Sequence, residues 1–215
     1  MILHLLKKEF ITEFRHKISL NSIFLYLTST VFIVYLIFNQ LEELKSWVAL
    51  YWIILVFAST NASVNSFRLE SGRQFYYYFG LVKAVPLILS KMIFNAILIE
   101  LIAFLAYGLI AILIGNPIEN QGLFLLIIGL GSLALSSILT LVSGIASKTG
   151  QNSSLTAILA FPILLPVLLM AIKASLLSGL GFGWDECQSY LLSLLAINVV
   201  IVALSLILFP YLWRS

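Results

Sequence analysis

Glu100 lies inside a long apolar run, Met92–Gly115, and five consecutive aromatics, Phe75, Tyr76, Tyr77, Tyr78 and Phe79, lie between Arg73 and Lys83. A carboxyl group in an apolar run is expensive to bury and marks a functional position by default, although it can also persist as a protonated acid hydrogen-bonded to a neighbouring helix. Counting from Met92, Glu100 falls about 12 Å into its span at 1.5 Å per residue, near mid-membrane. The aromatic run is bracketed by Gly72 and Gly80, and Pro86 limits helix continuation from the residue before it. It reads either as an interfacial belt with Tyr rings at headgroup level or as a short helix parallel to the membrane whose aromatics anchor a partner. Five in succession exceed what a belt needs, which favours the partner.

Other polar residues sit within apolar runs at helical spacing. Asn61 and Asn65, with Ser59 and Ser63, form an i,i+4 polar stripe, and Ser132, Ser136, Thr140 and Gly144 form a second one. Small and hydroxyl residues at this spacing let helices approach closely and bond across the contact, so both stripes read first as packing seams and second as a substrate path. Pro162 and Pro166 each remove a backbone donor and are expected to kink their helix.

Several chemistries have no residues to carry them. The sequence contains no G-x-x-x-x-G-K-[ST] loop, no H-E-x-x-H, no pair of cysteines and no nucleophile elbow. His4 and His16 lack a second ligand at metal spacing, and the lone Cys187 excludes an internal disulfide. A self-contained enzyme, a resident cofactor and a bound metal are therefore not expected. Any uphill movement must draw on a partner or an ion gradient.

The elements that position these residues are apolar spans. With 61% hydrophobic and 10% charged residues, the chain is far from the soluble norm of about 25% charged. Six segments, Leu20–Phe38, Trp47–Phe67, Met92–Gly115, Gly122–Ser147, Ser154–Leu177 and Gln188–Leu212, each approach the roughly 20 residues needed to cross a hydrocarbon core of about 30 Å. Lys7, Lys8, Arg15, Lys17, Arg68, Arg73, Lys83, Lys91, Lys148 and Arg214 fall on one side of this alternation, and only Lys45 and Lys173 on the other. Such a bias in short loops assigns the first side, with both termini, to the cytoplasm. The net charge of +3 suits anionic headgroups, not nucleic acid. Residues 1–17 do not read as part of a cleavable signal peptide, because the apolar stretch that follows them is too long for an h-region and no A-x-A-like site follows it. As a helix they place Leu3, Leu6, Phe10 and Phe14 opposite Lys8, Thr12, Arg15 and His16, an amphipathic helix in the headgroup plane. The predicted fold is therefore all-α, a single polytopic domain over residues 1–215 with an interfacial helix at 1–17 and a cytoplasmic coupling segment at 69–83.

The chain as a whole resembles the CcmB family, the haem-exporter B permeases of cytochrome c maturation. The resemblance is carried by Ser66-Phe67-Arg68-Leu69-Glu70-Ser71 with Tyr76-Tyr77-Tyr78, by Leu89-Ser90-Lys91, Gly115-Asn116-Pro117, Val142-Ser143-Gly144-Ile145-Ala146-Ser147-Lys148 and Ala160-Phe161-Pro162-Ile163, and by the terminal Phe209-Pro210-Tyr211-Leu212-Trp213-Arg214-Ser215. Each string is short; their order and spacing along nearly the whole chain carry the match. Many members have an Asp near the loop glycine where Glu70 stands here.

The resemblance implies a six-helix permease subunit of ABC-2 type in the bacterial inner membrane, driven by a separate CcmA-like ATPase. It also implies CcmC-like and CcmD-like membrane partners, haem as cargo of the complex and a possible homodimer. On that basis Tyr76, Tyr77, Tyr78 and Phe79 would fill a groove on the ATPase while Arg68, Glu70 and Arg73 set the register. The outward loops hold only Cys187 and Tyr190 as potential haem ligands, which suggests that a partner holds the iron. A scaffold or gate subunit that recruits the ATPase and releases a haem-loaded chaperone is the alternative. An ion-driven transporter would require internal repeats and more intramembrane charges.

Overall fold

The computed structural model describes residues 2–15, 17–38, 43–64, 83–147 and 153–214. Asn65, Arg68, Glu70, Arg73 and Tyr76 to Phe79 lie outside them.

The described residues form seven helices, α1 (Ile2–Arg15), α2 (Lys17–Phe38), α3 (Leu44–Val64), α4 (Ala84–Leu113), α5 (Gln121–Ala146), α6 (Ser153–Gly179) and α7 (Trp184–Arg214). All but α1 are long and apolar enough to cross a membrane. Their outward faces carry Phe32, Ile33, Leu36, Phe57, Ile112, Ile158, Leu192 and Val199, all at least half exposed. Helices bond their own backbones, so such apolar faces can meet lipid without leaving polar groups unsatisfied. The fold is all-helical and belongs in a membrane.

Two helices begin four or more residues earlier than the hydropathy predicts. Helix α4 starts at Ala84, eight residues before Met92, and contains Pro86 in its first turn. Proline is tolerated there because that turn's N–H groups have no helical partner, so Pro86 opens the helix where it was expected to stop it. Helix α7 starts at Trp184 with Asp185 and Glu186 in its first turn. Carboxylates at that position are favoured by the helix dipole, and Glu186 Oε2 accepts the Gly183 N–H at 3.1 Å. Helix α6 runs through Pro162 and Pro166 without interruption.

Helix α5 is the axle of the bundle. Buried residues make up 72% of it, against 22% of the α2 and α7 spans, and it packs against α3, α4, α6 and α7. Its glycines and serines permit this crowding: a Cβ at Gly131 would run into the Trp52 ring on α3. The six spanning helices leave two ends. One carries α1 and the N-terminal turns of α4; the far end carries the turns at 114–120 and 180–183.

The far end is closed by specific turn chemistry. Asn120 caps α5 by accepting the Leu123 N–H at 3.2 Å. Gly115, at φ 103°, lets the chain leave α4 in a left-handed conformation. After α6, Phe182 N–H bonds to Leu177 O and Gly181 N–H to Ser178 O, with Gly181 at φ 82°. That paired pattern is a Schellman ending, which satisfies the last carbonyls of the helix. The turns are then strapped together: Asn120 N–H donates to Ser178 O at 3.1 Å and Ser178 Oγ donates to Asn120 O at 2.7 Å.

Candidate functional site

At the end opposite those turns, α1 is fastened to α4 through its polar face. Lys91 Nζ donates to Glu9 Oε2 at 3.2 Å, with the lysine side chain 1% and the glutamate 11% exposed. Lys8 Nζ approaches the other carboxylate oxygen of Glu9 at 3.5 Å. Beside this pair, Phe10 and Phe94 meet edge to face with ring centroids 5.0 Å apart, a geometry that adds to area burial. Leu5 is buried and Leu3 is 81% exposed. The residues that dock α1 on the bundle are therefore Leu5, Glu9 and Phe10, and only Phe10 belongs to the predicted apolar stripe. Nothing local in the sequence announces a pair 82 positions apart. The available signal was Lys91 itself, a cation immediately before the apolar span predicted to start at Met92.

One helical turn deeper, Asn95 Nδ2 donates to Thr140 Oγ1 at 2.9 Å, and Thr140 Oγ1 donates to Ser136 O at 2.7 Å. Asn95 is 1% exposed, so this bond crosses between α4 and α5 in a dry environment. A comparable link joins α5 to α7, where Ser137 Oγ donates to Asn198 Oδ1 at 3.0 Å. Neither asparagine was singled out by spacing, because each stands alone in an apolar run.

Glu100 remains central even with the longer helix, since it lies near the midpoint of Ala84–Leu113. It is half-buried and faces α5: its Oε1 stands 3.9 Å from where a Gly129 Cβ would be, on the turn of α5 where Ser132 Oγ donates to Gly129 O at 3.0 Å. Ser132, Ser136, Thr140 and Gly144 are all buried on α5. Ser59 and Ser63 are buried on α3, whereas Asn61 is exposed. The expected single stripe on α3 is thus two faces: the serines turn into the bundle, and Asn61 lines an outward groove of about 870 Å³ with Tyr26, Trp52, Thr60 and Phe161. The hydroxyls of Ser59, Ser63, Ser136 and Ser143 are buried with no partner among the described residues.

Toward the far end the core is aromatic. Trp47, Tyr51, Trp52 and Phe124 are at most 1% exposed. Trp47 and Tyr51 stack at 6.0 Å with Phe124 against both, at 5.8 and 5.7 Å. The polar atom of each amphipathic ring has a partner: Trp47 Nε1 donates to Gly115 O at 2.8 Å, Trp52 Nε1 to Ser175 Oγ at 3.0 Å and Tyr51 Oη to Ala103 O at 3.3 Å. These rings were visible in sequence as an i,i+4,i+5 set on α3 and passed over. Cys187, read as an outward loop residue, lies in α7 and is fully buried with its Sγ toward Ala174 O. It is closed to an external haem iron.

Among the described residues the arrangement offers no nucleophile and general-base pair. What it offers is mechanical: an interfacial helix locked to the first turns of a spanning helix, polar links between spans, and a mid-span carboxyl group held against the central helix.

The family described as CcmB protein matches residues 1–212, and the chain belongs to that family. No curated protein matches the chain. Family membership makes it a multi-pass inner-membrane permease component of the haem-exporter system of cytochrome c maturation, a system that includes an ATPase partner, and not a catalytic subunit.

Proposed function

Proceeding from membership of the CcmB family, we propose that this chain is the passive, mechanically driven subunit of a haem-delivery complex. A CcmA-like ATPase engages residues 69–83 on the cytoplasmic face, which is also the face that carries α1 and both termini. The observation that carries this reading is the Lys91–Glu9 pair. Helix α4 begins at Ala84, immediately after the coupling segment, so a push on that segment arrives at the first turns of α4. The buried ion pair and the Phe10–Phe94 contact then pass the push to α1. A two-state element biased by nucleotide is what such coupling requires.

In this reading Tyr76, Tyr77, Tyr78 and Phe79 are the anchors, Arg68, Glu70 and Arg73 set the register, and CcmC-like and CcmD-like subunits hold the haem. Truncating a buried aromatic anchor costs about 2 kcal/mol or more of binding. Tyr77→Ala with Phe79→Ala is therefore expected to abolish co-purification of the ATPase while the CcmC-like subunit still co-purifies. Retention of the ATPase by the double variant would show that the dock lies elsewhere.

A further inference from the structure

Glu100 has α5 beside it but no counter-charge. It stands 16 residues from the start of α4 and 13 from its end, about 24 and 20 Å at 1.5 Å per residue, too deep for a headgroup to reach. The ion pairs among the described residues are Lys8–Glu9 and Lys91–Glu9, and every residue of α4, α5 and α7 at the level of Glu100 is described. Helices α1 and α2 lie along another flank of α4, beside Phe94, Leu98, Leu101 and Leu105. A carboxyl group half exposed at this depth faces acyl chains, where an ionisable group without a partner is costly.

The surface around Glu100 is a cleft. At the α1 end, α4 and α7 meet where Leu87, Ile88, Met92 and Phe209 are buried together, and α5 is buried without a break from Ala134 to Gly144. Toward the far end α5 comes to the surface between Glu100 on α4 and Asn198 on α7, whose Nδ2 donates to Leu130 O at 3.5 Å. Leu125 there is 39% exposed and Leu126 53%. No described neighbour requires the two glycines at this opening: a Cβ at Gly129 would meet only Glu100 Oε1, at 3.9 Å, and a Cβ at Gly108 nothing within 4 Å. Gly131 and Gly179, by contrast, are kept small by Trp52 and Leu44. Gly108 lies on the i,i+4 ridge of α4 that runs through Glu100 and Phe104. Glycine inside a helix is unfavourable relative to alanine, and bare backbone on an outward face lets another helix approach closely.

We propose that this cleft seats a transmembrane helix of a different membrane subunit, and that this helix brings a lysine or arginine to mid-membrane depth opposite Glu100. An acyl chain offers a carboxylate no hydrogen bond, whereas a helix satisfies its own backbone in lipid and can carry a paired cation to that depth. A second copy of this chain does not fit. Its Lys and Arg residues stand outside the spanning helices or within seven residues of one of their ends, and Lys91 is already buried against Glu9. The pairing fixes the depth at which the partner docks, and the glycines set how closely. The interface is separate from residues 69–83 and stands wherever the ATPase engages.

Photo-crosslinking of the assembled complex in intact membranes tests it, with benzoylphenylalanine at position 126 and the captured peptide sequenced by mass spectrometry. The expected product is a span of another subunit with a Lys or Arg within two turns of the captured residue. Glu100→Gln should cut the yield at least fivefold, and Glu100→Lys should restore it only when the captured helix has its base changed to Glu. Gly108→Leu should lower the yield as well. In the isolated chain Glu100→Gln should leave thermal stability unchanged, and Gly108→Leu, which enters open space, should keep or raise it. Capture of lipid alone, of a second copy of this chain, or of a helix with no base at that depth would overturn the proposal. So would a yield untouched by Glu100→Gln, or a loss of stability in the isolated Glu100→Gln chain, which would assign the carboxyl group to the packing of its own bundle.

Discussion

The two ends of this bundle satisfy their polar groups in opposite ways. At the far end, each of Trp47, Tyr51 and Trp52 places its ring in the core and its N–H or O–H on a partner, and the turns are capped and strapped to each other. Toward the α1 end, four buried serine hydroxyls have no partner among the described residues, and an ion pair with a single aromatic contact beside it stands where the far end has an aromatic cluster. An unpaired buried hydroxyl costs about 1–3 kcal/mol relative to a satisfied one. The far half is therefore the frame, and the α1 half holds the free energy for rearrangement. In a chain driven from outside the membrane, that is a useful division: one end receives force and repacks, and the other keeps its shape.

Trp52→Ala should have the largest effect. The indole is 1% exposed, donates to Ser175 and lies so close to α5 that only glycine fits opposite at position 131. Loss of the ring should lower unfolding free energy by about 4 kcal/mol, measured by steric trapping in bicelles. A loss under 1 kcal/mol would mean that the far end is not the frame.

Lys91→Met should come next, at about 3 kcal/mol, because it strips the nearly buried Glu9 carboxylate of its buried partner and leaves it the more exposed Lys8 at 3.5 Å. Pairing it with Glu9→Leu should recover most of that loss, since matched apolar residues can replace a buried ion pair at little cost. The damage should be confined to α1, read as faster amide exchange over residues 2–15 with unchanged exchange at the far end. Exchange rising equally at both ends would dissolve the distinction between them.

What could be read from the sequence, and what could not, follows the same boundary. The six spans were legible because hydropathy integrates over some 20 residues and tolerates errors at the ends. Their starts at Ala84 and Trp184 were missed because first-turn residues obey capping rules, under which Pro86 and Asp185 are favourable. Glu100 was legible as a charge out of place. Asn95 and Asn198 were equally out of place, but a single amide in an apolar run carries little weight until its partner is known. The Glu9–Lys91 pair and the docking face of α1 depend on tertiary contact between residues 82 positions apart. The split of α3 into a serine face and an asparagine face was present in the spacing: Ser59 and Ser63 are four apart, and Asn61 lies halfway between them, across the helix.

The smallest predicted effect has the most informative sign. Ser178→Ala at the far end removes a hydroxyl that donates to Asn120 O at 2.7 Å and should cost about 1 kcal/mol. Ser59→Ala removes a hydroxyl that is fully buried and without a partner among the described residues; it should cost nothing or stabilise by up to about 1 kcal/mol, because an unmet donor disappears. Measured side by side in the isolated chain, the two substitutions should differ in sign. Two losses of equal size would mean that Ser59 is satisfied after all, and the α1 half would then be as settled as the frame it is contrasted with. If the signs differ in the isolated chain and converge in the assembled complex, the serine face of α3 acquires its partners only when the complex forms.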